Sequence, residues 1–129
     1  MDDGGLKMED GKNEILSLSF AFAVRIVNLY RYLSEQKNEY VLSKQLLRSG
    51  TSIGANVNEA QDAQSKKDFV SKMSIALKAA RETKYWVRLL TETDYLPNQH
   101  TKVKTLLSEL DSIIKLLTSI IISSKAALK

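Results

Sequence analysis

The chain has apolar residues at spacings of three and four positions over most of its length, which is the pattern of amphipathic helices. Four helices are predicted, at about residues 14–36, 43–62, 66–93 and 99–125. No segment fits a strand better than it fits part of a helix. Because the links between the helices are short, successive helices are expected to run in opposite directions. The predicted fold is therefore all-α, an antiparallel up-and-down four-helix bundle.

The two ends of the chain are predicted to lie outside this bundle. Residues 1–13 contain three glycines and scattered charges, a composition typical of a disordered tail. Residues 126–129 are expected to fray, as the ends of chains commonly do. The four-helix bundle is accordingly assigned to residues 14–125.

Helices one and four have a wider apolar face than a helix with one buried side needs. In helix one, a second apolar stripe lies beside the first and consists of Leu16, Phe20, Ala23, Val27 and Tyr30. In helix four, the extra apolar positions are Ile114, Ile121 and Ile122. The additional width predicts that these helices are covered by other copies of the chain as well as by their own bundle.

Helix two contains Gly50 and Gly54, each of which disfavours a helix by about 1 kcal/mol relative to alanine. Two such glycines, four residues apart, predict a close approach of another helix. At the helix starts, Ser43 is expected to cap helix two, and Ser65 is expected to cap helix three.

A polar line runs along helix two beside its apolar line. Its members recur at spacings of three and four and are Ser49, Ser52, Asn56 and Glu59. Most are small, whereas exposed helix faces usually carry lysine and glutamate, so we expect partial burial with hydrogen bonds to another helix. A merely solvated face is the alternative. If helices two and three form a hairpin, Arg48 comes level with roughly residue 80 and within reach of Glu82, which predicts a partly buried ion pair that fixes the register.

The charge of the chain is uneven. The net charge is +4, and residues 15–129 carry 17 basic and 10 acidic side chains. A basic bundle favours polyanionic partners such as RNA or DNA, although a lysine-rich surface that serves solubility is the simpler interpretation. The predicted nucleic-acid-binding side chains lie on helix three, with Tyr85 nearby, and are Lys78, Arg81, Lys84 and Arg88.

Catalytic and metal-binding chemistry finds little support. The one histidine, His100, has no acidic or histidine partner three or four residues away, and there is no cysteine. No phosphate-binding loop or di-iron bundle motif is present. We therefore predict no catalytic residue, no cofactor and no metal. A bundle enzyme built around interior carboxylates and histidines is the least favoured hypothesis.

The sequence is typical of a cytoplasmic protein. It lacks cysteine, and no secretory signal is visible at its start. The strongest apolar run, residues 113–122, includes Lys115 and is shorter than the roughly 20 residues that span a membrane. No membrane partner is expected.

Two stretches carry a resemblance to a known family: QLLRSGTSIGANVNEA at residues 45–60 and KDFVSKMSIALKAARETKYWVRLL at residues 67–90. They closely resemble four-helix-bundle proteins encoded in intervening sequences of bacterial large-subunit ribosomal RNA genes, also labelled S23 ribosomal protein. The matching positions include Arg48, Ser49, Ser52, Asn56, Glu59, Glu82, Thr83 and Trp86. Two departures are the absence of the usual proline from the first link and Ala79 in place of a common glutamate.

The resemblance implies an antiparallel four-helix bundle that assembles into a ring of five. It also implies a likeness to the accessory variability proteins of diversity-generating retroelements, which are basic pentamers that bind nucleic acid and a reverse transcriptase. No catalytic residues come with the family. The leading hypothesis is a non-enzymatic homo-oligomeric scaffold that binds structured RNA. The alternative is an adaptor whose helical faces dock partner proteins, with no role for nucleic acid.

Overall fold

The chain folds into four long α-helices joined by short links. The fold comes from a computed structural model that describes residues 3–98 and 100–128, with side chains described from residue 11 onward. In chain order the helices are α1 (Asp3–Gln36), α2 (Leu42–Gln61), α3 (Lys66–Glu92) and α4 (Thr101–Ala126). No strand occurs among these residues, so the predicted all-α fold is confirmed.

The helices are arranged around a single apolar core. Each helix packs against its two neighbours in the cyclic order α1, α2, α3, α4, so that α1 and α3 are diagonal to each other. The short links make successive helices antiparallel. Fully buried side chains come from all four helices and include Phe22, Ile26, Ile53, Met73, Leu90, Leu110 and Leu117.

Helix α1 begins well before the predicted boundary. The sequence predicts a disordered tail to residue 13, but the structure continues the helix back to Asp3. Extending an existing helix fixes one residue for each hydrogen bond gained, whereas starting a new helix is much less favourable. The extension also has contacts to support it, because Lys12 Nζ lies 4.8 Å from the centre of the Phe69 ring of α3. Residues 1, 2 and 129 lie outside the described part.

The glycines of α2 allow it to approach α1 closely. A Cβ atom at Gly50 would lie 2.7 Å from Ile26 Cγ1, and one at Gly54 would lie 3.3 Å from the Ser19 carbonyl oxygen. These distances leave little or no room for a side chain. The close helix approach predicted from the sequence is therefore confirmed, and α1 is the helix that packs closely against these glycines.

The link between α1 and α2 replaces the predicted Ser43 cap with Glu39. Asn38 adopts a left-handed conformation, with φ of 54°, which lets the Glu39 N–H donate to the Leu33 carbonyl oxygen at 3.0 Å. The Glu39 carboxylate then accepts the backbone N–H groups of Val41, Leu42 and Ser43 at 3.2, 3.1 and 2.7 Å. The Ser43 hydroxyl instead donates to the Glu39 carbonyl oxygen. The first link thus closes without a proline.

Ser65 caps α3 as predicted. Its hydroxyl oxygen accepts the Asp68 N–H at 3.0 Å, and the Asp68 carboxylate accepts the Gln64 N–H at 3.3 Å. This reciprocal pair satisfies backbone donors that the first turn of a helix cannot satisfy itself.

The extra apolar positions of α1 and α4 have different environments. On α1, the second stripe is half-buried or exposed throughout, and the exposed fraction of Phe20 is 67%. On α4, Ile122 is exposed and Ile114 half-buried. Ile121 is buried in the core, so its assignment to an outer face was wrong. Position 121 is one residue beyond Ile120, and both fall on the inner side of the last turns.

We expect Gly50→Ala and Gly54→Ala each to lower the free energy of unfolding by about 1 kcal/mol or more, since overpacking outweighs the gain in helix propensity. Urea unfolding at fixed protein concentration measures the change. Gly11→Ala is the matched control, because its Cβ would lie 4.0 Å from the nearest atom, Leu116 Cδ1. That variant should be as stable as the parent or slightly more so. Equal stability of all three variants would contradict the close approach.

Glu39→Gln should destabilise the fold by about 1–2 kcal/mol at neutral pH, because a charged cap is removed. Burial raises the pKa of Glu39. The hydrogen bonds from the backbone N–H groups and the Ser43 hydroxyl together lower it by more, so the pKa lies below the ordinary 4.5. The stabilisation is therefore complete above that pH and is lost as the pH falls through the folded-state pKa. The stability difference from the parent should shrink in acid. Glu35→Gln, on the exposed face of α1, should show neither effect.

Candidate nucleic-acid interface

One side of α3 presents a row of positive charge to solvent. Lys78, Arg81 and Arg88 are exposed and recur with Tyr85 at spacings of three and four, so all four share one helical face. We call the three cations the α3 basic row. From Lys78 to Arg88 the row extends about 15 Å along the helix axis. The sequence-based grouping of these three side chains agrees with the structure.

Lys84 does not belong to this row. Its Nζ donates to Asp111 Oδ1 of α4 at 2.9 Å, so its side chain turns toward the α3–α4 boundary. The carboxylate compensates its charge. The placement of Lys84 with the other three cations was therefore wrong, because the spacing along α3 gives no information on which residue of α4 lies opposite.

The cations of the α3 basic row make no ion pair among the residues the structure describes. Other basic side chains of the bundle do, including Arg25 with Glu109 and Lys72 with Glu59. Lys78 lies close enough to Glu82 to help lower the pKa of that carboxyl, whereas no such contact is found for Arg81 and Arg88 among the described residues. Exposed cations without an ion-pair partner attract a polyanion. The row is accordingly suited to contact phosphates along one face of α3.

Beside the row, Arg48, Glu82 and Trp86 form a connected cluster between α2 and α3. Arg48 donates to the Glu82 carboxylate and, at 2.9 Å, to Gln45 Oε1. The Trp86 indole N–H donates to Glu82 Oε2 at 2.9 Å. The pKa of Glu82 lies below its ordinary value. The hydrogen bond from Trp86 lowers it most, burial raises it, and the hydrogen bond and positive charge of Arg48 lower it again. The predicted ion pair is present, although more than half of the Arg48 side chain is exposed.

Behind this cluster, Ser49 and Thr83 join α2 to α3 inside the bundle. Both residues are fully buried, and their hydroxyl oxygens lie 3.0 Å apart. Each hydroxyl also reaches a carbonyl oxygen of its own helix, that of Leu46 for Ser49 and that of Ala79 for Thr83. Buried polar groups are tolerated only when they are hydrogen-bonded, so this pair specifies how the two helices face each other.

The rest of the polar line on α2 is less buried. Ser52 and Asn56 are half-buried and donate to carbonyl oxygens of their own helix, at 2.6 and 2.8 Å. Glu59 is exposed and lies 3.3 Å from Lys72 Nζ of α3. The expectation of burial with hydrogen bonds to another helix is thus confirmed at Ser49 only, because Glu59 reaches α3 through an exposed ion pair.

A cleft of about 530 Å³ lies between α1 and the start of α4. Its walls are largely apolar, and Arg25 stands at its edge. That guanidinium is already occupied by Glu109 Oε1, by the Lys102 carbonyl oxygen and by Thr105 Oγ1, at 2.9, 2.9 and 3.1 Å. The cleft therefore offers an apolar surface rather than a free anion-binding group.

His100 caps α4, with its Nδ1 accepting the Lys102 N–H at 3.1 Å. Among the side chains described, those of residues 11–98 and 100–128, no three from histidine, cysteine, aspartate or glutamate are grouped as a metal ion would require. None of the described helices is long and apolar enough to cross a membrane.

Sequence reasoning missed several side chains that the structure uses, among them Gln45 and Asp111. Gln45 is three residues before Arg48, a spacing at which helical side chains meet, so the sequence did contain a signal for that contact. Asp111 had none, since its partner lies on another helix.

Comparison with known proteins identifies relatives of this bundle. The family model described as 23S rRNA-intervening sequence protein matches residues 11–119. A crystal structure of a protein of unknown function from the S23 ribosomal protein family of Bacteroides thetaiotaomicron is 50% identical in sequence. The match covers 86% of this chain and 97% of that one, with a TM-score of 0.83. No curated protein matches the chain.

We expect a double-mutant cycle of Arg48→Ala and Glu82→Ala to give a coupling energy of about 0.5 kcal/mol, as is usual for a solvated ion pair, and less at high salt. Urea unfolding of the four proteins measures it. A cycle of Arg48→Ala and Glu59→Ala is the control, because Glu59 pairs with Lys72 instead. Coupling between Arg48 and Glu82 no larger than in the control would rule out a role for this pair in fixing the register of α2 and α3.

Proposed function

The chain belongs to the 23S rRNA-intervening sequence protein family, and we propose that it acts as a non-enzymatic, homo-oligomeric scaffold that binds structured RNA. Binding takes place through the α3 basic row. The observation that carries this proposal is the row itself, which has three exposed cations on one helical face without an ion-pair partner among the described residues. Phosphate contacts of this kind supply most of the affinity of proteins for nucleic acids.

Several features support a binding role rather than catalysis. The resemblance to the family implies no catalytic residues, and the S23 ribosomal protein neighbour is a protein of unknown function. The one histidine has its Nδ1 occupied as a helix cap. The residues that match the family motif, such as Ser49, Thr83 and Glu82, hold α2 and α3 together.

An exposed apolar face on α1 supports association between copies of the chain. Phe20 and Val24 lie four residues apart with exposed fractions of 67% and 47%, and a neighbouring chain would remove this apolar surface from water. Because α1 and α3 are diagonal in the bundle, this face and the α3 basic row point in opposite directions. Self-association through α1 therefore leaves the row free. A ring of five, like the relation to accessory variability proteins, stays a prediction of the resemblance.

The adaptor hypothesis remains the second candidate, and the same exposed face of α1 favours it. Phe20 and Val24 could be covered by a helix of a partner protein instead of another copy. Light scattering separates the two cases, since self-association gives a mass that is a multiple of 14.5 kDa without any partner present.

RNA binding should weaken steeply with salt, and charge reversal of the row should reduce that dependence. Each phosphate contact adds about 0.7–0.9 to the slope of log K against log salt, so Lys78→Glu, Arg81→Glu and Arg88→Glu together should lower the slope by about two to three. Fluorescence anisotropy with a labelled RNA hairpin over a salt series measures both quantities.

The matched control reverses three exposed lysines on other helices, Lys44, Lys104 and Lys115. It makes the same change in net charge but leaves the α3 basic row intact, so it should retain nearly the parental slope. Equal losses in the two triple variants would show that only net charge matters. Absence of binding by the parent protein at low salt would refute the nucleic-acid proposal.

A further inference from the structure

Tyr85 is an exposed aromatic ring within the α3 basic row. The exposed fraction of the residue is 57%, and among the described residues its hydroxyl makes no hydrogen bond. A tyrosine in this position contributes little to the core. Its neighbours along the same face are Arg81, four residues before it, and Arg88, three residues after it.

The Tyr85 ring is held in place from one side. It packs edge-to-face against Trp86, with ring centroids 5.1 Å apart and an interplanar angle of 75°. Trp86 is in turn fixed by its hydrogen bond to Glu82, which Arg48 contacts. A ring that is ordered before binding loses less conformational entropy when a ligand covers it.

Residues three and four apart on a helix are neighbours, with Cβ atoms about 5–6 Å apart. Arg81 and Arg88 therefore lie on either side of Tyr85 along the helix. A nucleotide base placed on the Tyr85 ring would have one guanidinium group near the phosphate that precedes it and another near the phosphate that follows. The row thus combines a stacking surface with charge on both sides, as proteins that bind single strands do.

We infer that Tyr85 is a stacking platform for an unpaired base, so that the α3 basic row selects single-stranded segments of RNA over continuous duplex. The inference rests on the proposed function and adds the structural class of its ligand. In an A-form duplex the bases are stacked on each other, and an aromatic side chain on the surface cannot reach their faces. In a loop or a single strand the faces are open, and every base offers one.

The test compares two labelled RNA probes, an unstructured single strand and a blunt duplex of the same length, with the full chain and its variants. Tyr85→Ala should weaken single-strand binding about tenfold and leave duplex binding unchanged within about twofold. Tyr85→Phe, which keeps the ring, should bind as the parent does. Tyr85→Leu keeps apolar bulk against Trp86 without the aromatic face, and should behave like Tyr85→Ala.

A second readout does not depend on affinity. Trp86 is the only tryptophan, and its fluorescence should change when a base covers the adjacent Tyr85 ring. Saturating single strand should therefore quench the emission, whereas saturating duplex should not. Circular dichroism of each variant establishes that its helices are intact.

The possible results separate this inference from the proposed function. If Tyr85→Ala binds the single strand as tightly as the parent while the triple reversal of the α3 basic row does not, the stacking role is wrong and RNA binding stands. Equal weakening toward both probes would also overturn it. If the parent protein binds neither probe nor the labelled hairpin, both proposals fail.

Discussion

The close approach of α2 to α1 at Gly50 and Gly54 is the constraint on which the remaining geometry depends. With no side chains at these two positions, the α2 backbone comes within van der Waals distance of Ile26 and of the Ser19 carbonyl. That contact fixes the rotation of α2 about its own axis. Residues at the next positions around the helix must then face either the core or α3, and the polar line is the part that faces α3.

Helix α2 therefore holds its two neighbours by different means. On its glycine side, α2 packs closely against α1 through van der Waals contact. On its polar side, it contacts α3 through a hydrogen bond from Thr83 to Ser49 and through ion pairs of Arg48 and Glu59. The buried hydroxyl pair favours the observed facing of α2 and α3, since a slip along the helix would break the Ser49–Thr83 hydrogen bond and leave each hydroxyl only the carbonyl oxygen of its own helix. The exposed ion pairs add little energy. Their larger consequence is local order, because the same Glu82 carboxylate that Arg48 contacts also binds the indole of Trp86.

Much of this arrangement could be predicted from spacing along the chain. The periodicity predicted the four helices, the two glycines predicted the close approach, and counting from the α2–α3 turn placed Arg48 within reach of Glu82. All of these depend on neighbours within one helix or across one short turn. Two other features depend on the rotation of α4 relative to α3, which no pattern within one helix predicts. They are the position of Asp111 opposite Lys84 and the burial of Ile121 in the core. The Glu39 cap depends on the left-handed conformation of Asn38, and the early start of α1 depends on helix extension.

The distribution of surface chemistry has a consequence for how copies of the chain would work together. The exposed apolar face lies on α1 and the α3 basic row lies on the diagonal helix, so burying the first does not consume the second. An assembly closed through α1 would display one row per copy on its outside. Three cations make a weak site for nucleic acid by themselves, but several rigidly linked rows raise the effective concentration of each for the same strand. In the proposed assembly, oligomerisation would therefore strengthen RNA binding, and a monomeric variant should lose affinity even with every cation of the row in place.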